Sequence, residues 1–323
     1  MIQDIQISKN ILHRFAVLQS KSKLAHAYLF AGPAFIGKSE TALAVAQLFH
    51  CDNSLTAKEP CGTCAACRKV LTRQHPDVHS IESEYGETIK IQTIRELLAH
   101  IKLRPFYGRK KVFIIPRIDH TTAEAGNALL KTLEEPNQDN LLLLTTTNIG
   151  KVLETIVSRC HVIYFSGTSE TKLAESLTTY YDEKPIHAHF LAYMSEGCLG
   201  KALYWKKNDL CRKRDEVIRE YIYGQNIEVY LKKLLSDKHA VKECLDILLS
   251  WFRDALFIKM GLSEENLIHR DRFEDLQRFV QHYSFEELVD LFDQTVKTCK
   301  LLTDNLNVKL PLLIIKEKLW KKS

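Results

Sequence analysis

The sequence predicts an α/β domain built on a parallel sheet, followed by an all-helical region, and three observations carry that prediction. Gly32 to Ser39 reads GPAFIGKS, the G-x-x-x-x-G-K-[ST] pattern of a phosphate loop, set between the apolar run Ala27-Tyr28-Leu29-Phe30-Ala31 and a helical stretch from Glu40 to His50. Strand-like and helix-like segments alternate as far as Phe165, as they do in parallel sheets covered by helices on both faces. From Ser169 onward the strand signals vanish.

In chain order, residues 2 to 22 place Ile11, Leu12, Phe15 and Leu18 at helical spacing and end in Lys-Ser-Lys. His26 to Phe30 reads as a buried strand. Ala42, Val45, Ala46 and Phe49 mark the core face of the helix that the loop opens. A cysteine-rich segment follows, and a helix resumes from Cys64 to Leu71. His75-Pro76-Asp77 is a turn, and Val78 to Ile81 a short strand. Thr93 to Leu103 is an amphipathic helix with Ile94, Leu97, Leu98 and Ile101 on one side. Val112 to Ile115, Leu141 to Thr146 and Val162 to Phe165 are apolar runs of the fully buried kind. Between the first two, a helix from Thr122 to Glu134 is stopped by Pro136. Residues 169 to 205 suit a small helical unit broken by Pro185, Gly197 and Gly200. Residues 207 to 320 are helical, with Leu231, Leu234 and Leu235, then Leu245, Leu248, Leu249 and Phe252, as apolar stripes. These boundaries divide the chain into 1–167, 168–206 and 207–323.

Bulk composition excludes several classes. A hydrophobic share of 45% and a charged share of 26% are those of an ordinary globular protein. No apolar run reaches the roughly 18 residues a membrane span needs. The opening MIQDIQISKN carries Asp4 and no apolar core, so a cytoplasmic location is expected. The net charge of +5 permits a nucleic-acid neighbour without requiring one. The basic groups Arg109, Lys110 and Lys111, and Lys316, Lys318, Lys321 and Lys322, read as solvated faces.

Among nine cysteines, Cys51, Cys61, Cys64 and Cys67 stand at C-x9-C-x2-C-x2-C. Two sulfurs of a C-x2-C step converge on one ion from a tight turn, here at Gly62, and four thiolates with no open position describe a structural Zn²⁺ site. His50 and His75 lie near it but are not needed as ligands. Cys160, Cys198, Cys211, Cys244 and Cys299 read as small buried hydrophobes.

Together these features resemble the AAA+ clamp-loader subunits of bacterial DNA polymerase III, and among them the delta-prime kind. The residues that carry the resemblance are HAYLFAGP (His26 to Pro33), the four-cysteine insert, NALLKTLEEPN (Asn127 to Asn137), LLLLTTTN (Leu141 to Asn148) and Ser158-Arg159-Cys160. Beyond residue 205 it rests on Trp251 to Leu256 and Asn305-Leu306-Asn307. The resemblance implies an AAA+ domain with a zinc insert, a small helical lid and a helical collar that joins subunits. It implies a hetero-pentamer with ATP-hydrolysing motor subunits and a delta subunit, acting with a sliding clamp and primed DNA. ATP with Mg²⁺ would lie at Gly32, Gly37, Lys38 and Ser39. Arg159 matches the arginine finger given in trans to a neighbour's ATP. Asn148 matches a γ-phosphate sensor, though it also suits a strand-ending turn. Lys201 stands where relatives often carry a sensor arginine. Glu134 and Glu135 read as helix-end residues.

One departure decides between subunits. An AAA+ motor needs two acidic residues after the strand Val112 to Ile115, one for Mg²⁺ and one for the attacking water. Pro116 and Arg117 hold those places. The expectation is therefore a non-hydrolysing, stator-like subunit that works within the polymerase holoenzyme. An ATP-hydrolysing motor of the same complex is the alternative, and a zinc-dependent nucleic-acid-binding module a second.

Overall fold

A computed structural model describes residues 6–53, 59–81, 88–107, 110–224, 227–304 and 306–320. Asp4, Arg109, Asn305, Lys321 and Lys322 lie outside the described residues. The chain divides into two compact units, one of residues 1–167 with Cys198–Lys201 and one of 168–197 with 202–323.

The first unit is a five-stranded sheet in the order β2-β3-β4-β1-β5, every pairing parallel. Its strands are β1 (Ala27–Ala31), β2 (Val78–Ser80), β3 (Lys111–Ile115), β4 (Asn140–Thr146) and β5 (His161–Tyr164). All residues of β1, β3 and β4 are buried, which explains why they read as unbroken apolar runs rather than alternating ones. Alternate side chains still go to opposite faces. Tyr28, Phe30, Val112, Ile114, Leu141 and Leu143 pack beneath α1 (Gln6–Ser20) and α2 (Lys38–His50). Ala27, Leu29, Phe113, Ile115, Leu142 and Leu144 pack beneath α4 (Ile91–Ile101), α5 (Ala123–Glu134) and α6 (Glu154–Val157). The short helix α3 (Ala65–Leu71) lies on α2.

Helix ends differ from the sequence expectation where caps decide them. Helix α4 begins at Ile91 and ends at Ile101, earlier at both ends than expected. Thr122 sits outside α5 as its N-cap, its hydroxyl accepting from Ala125 N. Lys111 is not on a solvated turn: it is buried, and its ammonium donates to His100 O at 3.1 Å. The Lys110 ammonium donates to Gln138 O at 2.5 Å.

The second unit has no strand among the described residues. It holds α7 (Glu170–Tyr181), α8 (Pro185–Met194), the greater part of α9 (Leu199–Lys207) and α10 (Leu210–Glu216), which continues in π form to Ile222. α11 (Ile227–Leu234), α12 (Lys238–Lys259), α13 (Phe273–Gln281), α14 (Phe285–Thr303) and α15 (Lys309–Trp320) complete it. α12 is the central element, with Leu245, Leu248, Trp251, Phe252 and Ala255 buried against α13 and α14. Asp254, fully buried, accepts from Ile268 N at 2.9 Å and His269 N at 2.8 Å, and so ties the loop before α13 to α12. Lys316 is a second correction: it is buried rather than solvated, and donates to Ile222 O at 3.0 Å. A buried ammonium facing a carbonyl is the arrangement that spares it most of the desolvation cost.

Arg214 is 1% exposed and forms a two-pronged pair with Asp271 at 2.9 and 2.6 Å, beneath the ring of Phe190. Truncation strands the Asp271 carboxylate. Arg214→Ala is therefore expected to lower unfolding free energy by about 3–5 kcal/mol in urea titrations. Joint replacement by Met and Leu should cost much less. A loss under about 1 kcal/mol for the single variant would refute the assignment.

Candidate functional site

The phosphate loop leaves the C-terminal end of β1. Gly37, the N-cap of α2, has φ 95°, a left-handed conformation that glycine adopts without strain. Lys38 is 6% exposed, and its ammonium donates to Gly32 O at 2.7 Å and Pro33 O at 2.5 Å. Burial lowers its pKa to about 8, against the opposing pull of the Asp119 carboxylate. Ser39 begins the exposed side of the helix start, partly buried. Gly200 lies against the loop from another direction: a Cβ there would come within 2.3 Å of Phe35 O. That contact, with Cys198 in the core under α2, brings the start of α9, and Lys201 with it, to the loop. In the sequence Gly200 reads as a helix breaker, and its role in close packing has no local signal.

At the end of β3 the chain turns sharply. Arg117 has φ 48°, and its N–H donates to Thr145 Oγ1 at 3.1 Å. Asp119 does not point into open space. Its Oδ2 accepts from Thr147 N at 3.0 Å, Thr147 Oγ1 at 2.6 Å and Asn148 N at 3.0 Å. Burial works to raise its carboxyl, but these bonds outweigh it and hold it below the usual carboxylate range. Asp119 thus braces the end of β4. Asn148, two residues past that strand, caps the 3-10 turn Ile149–Lys151, its Oδ1 accepting from Gly150 N at 3.0 Å and leaving its Nδ2 as a donor.

Arg159 stands two residues past the end of α6. Its Nη1 donates to Thr155 O at 2.9 Å, and its Nη2 pairs with Glu134 Oε1 at 2.7 Å. Glu134, at the end of α5, was not legible as a partner from the sequence, because its distance to Arg159 is set by how α5 and α6 pack. Glu135 is exposed.

The four sulfurs of Cys51, Cys61, Cys64 and Cys67 lie within 4.8 Å of one another. Zn–S bonds of about 2.3 Å in a tetrahedron place sulfurs about 3.8 Å apart, and Cys61 Sγ and Cys67 Sγ are 4.0 Å apart. Backbone N–H groups of Cys61, Cys64 and Cys67 point at Cys51 Sγ, Cys61 Sγ and Cys64 Sγ, each at 3.4 Å. Such donors stabilise thiolates. Those of Cys64 and Thr63 pull the Cys61 thiol down to about 6, while burial pushes Cys67 and Cys51 up. The donor set fits a closed Zn²⁺ site. Gln47 Nε2 donates to Cys67 O at 3.0 Å and ties it to α2.

His50, His75 and Asp77 form a second buried group beside it. Asp77 is fully buried; its two oxygens accept from Phe106 N at 2.7 Å and Tyr107 N at 3.0 Å, and its own N–H donates to His75 Nδ1 at 3.2 Å. These bonds commit one lone pair on each Asp77 oxygen and the His75 Nδ1, and through them the group braces the loop before β3. Of the remaining cysteines, burial pushes Cys160, Cys211 and Cys244 up to about 12 and Cys299 to about 11, as for inert thiols. Cys198 is buried in the core.

The chain matches a family profile described as DNA polymerase III, delta subunit, over residues 7–169, and one described as the C-terminal part of that subunit over 211–316. It is similar to DNA polymerase III subunit delta' of Bacillus subtilis, 31% identical over 298 residues that cover 90% of this chain and 89% of that protein. It is also similar to subunit delta' of Pseudomonas aeruginosa, 37% identical over 144 residues, 44% of each chain. With subunit tau of Escherichia coli it shares 33% identity over 206 residues, 62% of this chain and 31% of tau. No helix among the described residues is long and apolar enough to cross a membrane.

Proposed function

The chain belongs to the delta-prime family of DNA polymerase III clamp-loader subunits, and on that premise we propose that it is a non-hydrolysing, stator-like member whose chemistry is performed at a neighbour's site. It joins ATP-hydrolysing motor subunits and a delta subunit in a hetero-pentamer. That complex opens a sliding clamp and places it on primed DNA. Residues 168–206 act as the lid and 207–323 as the collar that binds the other subunits. Cys51, Cys61, Cys64 and Cys67 hold a structural Zn²⁺. The loop from Gly32 to Ser39 holds nucleotide without hydrolysing it, with Lys38, the Asn148 amide and Lys201 facing the phosphates.

The observation that carries this reading is the end of β3. Pro116 and Arg117 supply neither a metal ligand nor a base, and Asp119 is bound to Thr147 and Asn148. With Pro116 and Arg117 in the two acidic places and Asp119 Oδ2 committed to the residues after β4, the bound phosphates lack the carboxylate pair that orders Mg²⁺ and activates water. Arg159, by contrast, is oriented by Thr155 O and Glu134 with further guanidinium donors still to give.

The purified chain should show no sustained Mg²⁺-dependent ATP turnover, and adding it to motor and delta subunits should switch on DNA-stimulated turnover and clamp loading. Steady hydrolysis by the lone chain, abolished by Lys38→Arg in protein that stays folded, would sink the proposal in favour of a motor.

A further inference from the structure

Phe106 is 76% exposed and Tyr107 51%, on the loop that joins α4 to β3. Large apolar rings left in water on a segment that is held in place mark a contact surface. The holding is done by Asp77, fully buried, whose Oδ1 accepts from Phe106 N at 2.7 Å and whose Oδ2 accepts from Tyr107 N at 3.0 Å. The Tyr107 ring leans on His75, with 5.5 Å between centroids. Phe106 meets Tyr107 nearly edge-on, at 5.0 Å and 81°. Tyr107 thus props its neighbour, and most of the Phe106 ring is presented to water in advance of any partner.

The charges on this segment are positive. In Lys102-Leu103-Arg104-Pro105-Phe106-Tyr107 both cations are exposed. Lys69 of α3, also exposed, comes to the same place from another element: with Tyr107, His50 and His75 it lines a cavity of about 320 Å³. Asp52 shares that cavity, and the Asp77 carboxylate is spent on backbone N–H groups. Among the described residues, Lys69, Lys102 and Arg104 form no ion pair.

Cations set beside exposed rings are what a surface needs to hold single-stranded nucleic acid. The cations follow the phosphates, and a base of any identity stacks on a ring. A duplex offers no free base face, because its bases are stacked on one another. An acidic peptide could use the same cations, but its apolar side chains need a socket, and Phe106 projects.

We propose that the loop between α4 and β3, together with the end of α3, binds single-stranded nucleic acid, with Phe106 stacked on a base and Lys69, Lys102 and Arg104 on phosphates. The site is separate from the nucleotide loop. In a parallel sheet the segment before β3 and the segment after β1 lie at opposite edges. It also stands independently of the clamp-loading role, since the lone chain carries it.

The test is an anisotropy titration of the full-length, zinc-loaded chain with an end-labelled oligothymidine over a series of salt concentrations. Log affinity should fall with log salt at a slope of about −2, from roughly 0.7 per phosphate contact on a single strand. Phe106→Ala should weaken binding about tenfold and keep the slope. Arg104→Ala should make the slope shallower by about 0.7. Both side chains are exposed, so neither substitution opens the core. Unlabelled duplex should compete poorly. No binding at low salt, or affinity indifferent to Phe106→Ala, overturns the proposal. Should Phe106→Ala leave oligothymidine binding intact and instead weaken assembly with motor and delta subunits, the surface belongs to a protein partner, which overturns it equally.

Discussion

Replacing Arg159 by alanine in a reconstituted clamp-loader complex should cut ATP turnover at the site this subunit faces by about 10³-fold or more. Assembly should be unchanged. An arginine finger acts on charge that develops in the transition state, so its removal is felt in the rate far more than in nucleotide affinity. Arg159→Lys should rescue little, because the ammonium keeps the charge but loses the planar fork. The side chain is one-third exposed, and among the described residues it contacts Thr155 O, Ser158 Oγ and the partly exposed Glu134. Measuring single-turnover hydrolysis and native mass of the complex in parallel separates catalysis from assembly. Normal hydrolysis by an intact Arg159→Ala complex would remove the finger assignment.

The second large effect concerns the cysteine module. Metal removal, or Cys61→Ser, should release one Zn²⁺ per chain and unfold the segment around α3 while the sheet persists. Binding of structural Zn²⁺ in small domains is worth about 10–16 kcal/mol in apparent free energy, and little else holds this segment. α3 is 7 residues long and buries only Cys67 and Val70. A helix this short is not stable by itself. The sheet, by contrast, has buried side chains on both faces. Amide exchange in α3 should accelerate by roughly 10²-fold or more on metal removal, with β1, β3 and β4 keeping their protection. Unchanged α3 protection in metal-stripped protein would show that the four cysteines are merely packed thiols.

The sheet was legible because β1, β3 and β4 are buried on both faces and so appear as apolar runs too short for helices. The cysteine cluster was legible because its ligands are close in sequence. Lys111 and Lys316 were misread because a lysine's burial depends on a carbonyl contributed from elsewhere, His100 O and Ile222 O, which no local pattern announces. The same limit hid the pairing of Glu134 with Arg159 and the bracing of Thr147 and Asn148 by Asp119. Each joins segments far apart in sequence whose distance only the packed fold sets. Asp77 offered a hint as the close of a His-Pro-Asp turn, but its work on Phe106 and Tyr107 lies across another such gap.

The Lys38 ammonium clasps the carbonyls of Gly32 and Pro33 within its own loop. This has a consequence for genetics. In a nucleotide-driven enzyme, exchanging the loop lysine is the usual way to ask whether ATP matters to a cell. In this chain the same exchange also unfastens two ends of a turn, and a strain bearing Lys38→Ala can fail through misfolded subunits with no fault in energy transduction. Lys38→Arg, which keeps donors for both carbonyls, is the informative allele, and it should be scored together with the amount of folded protein the cells contain.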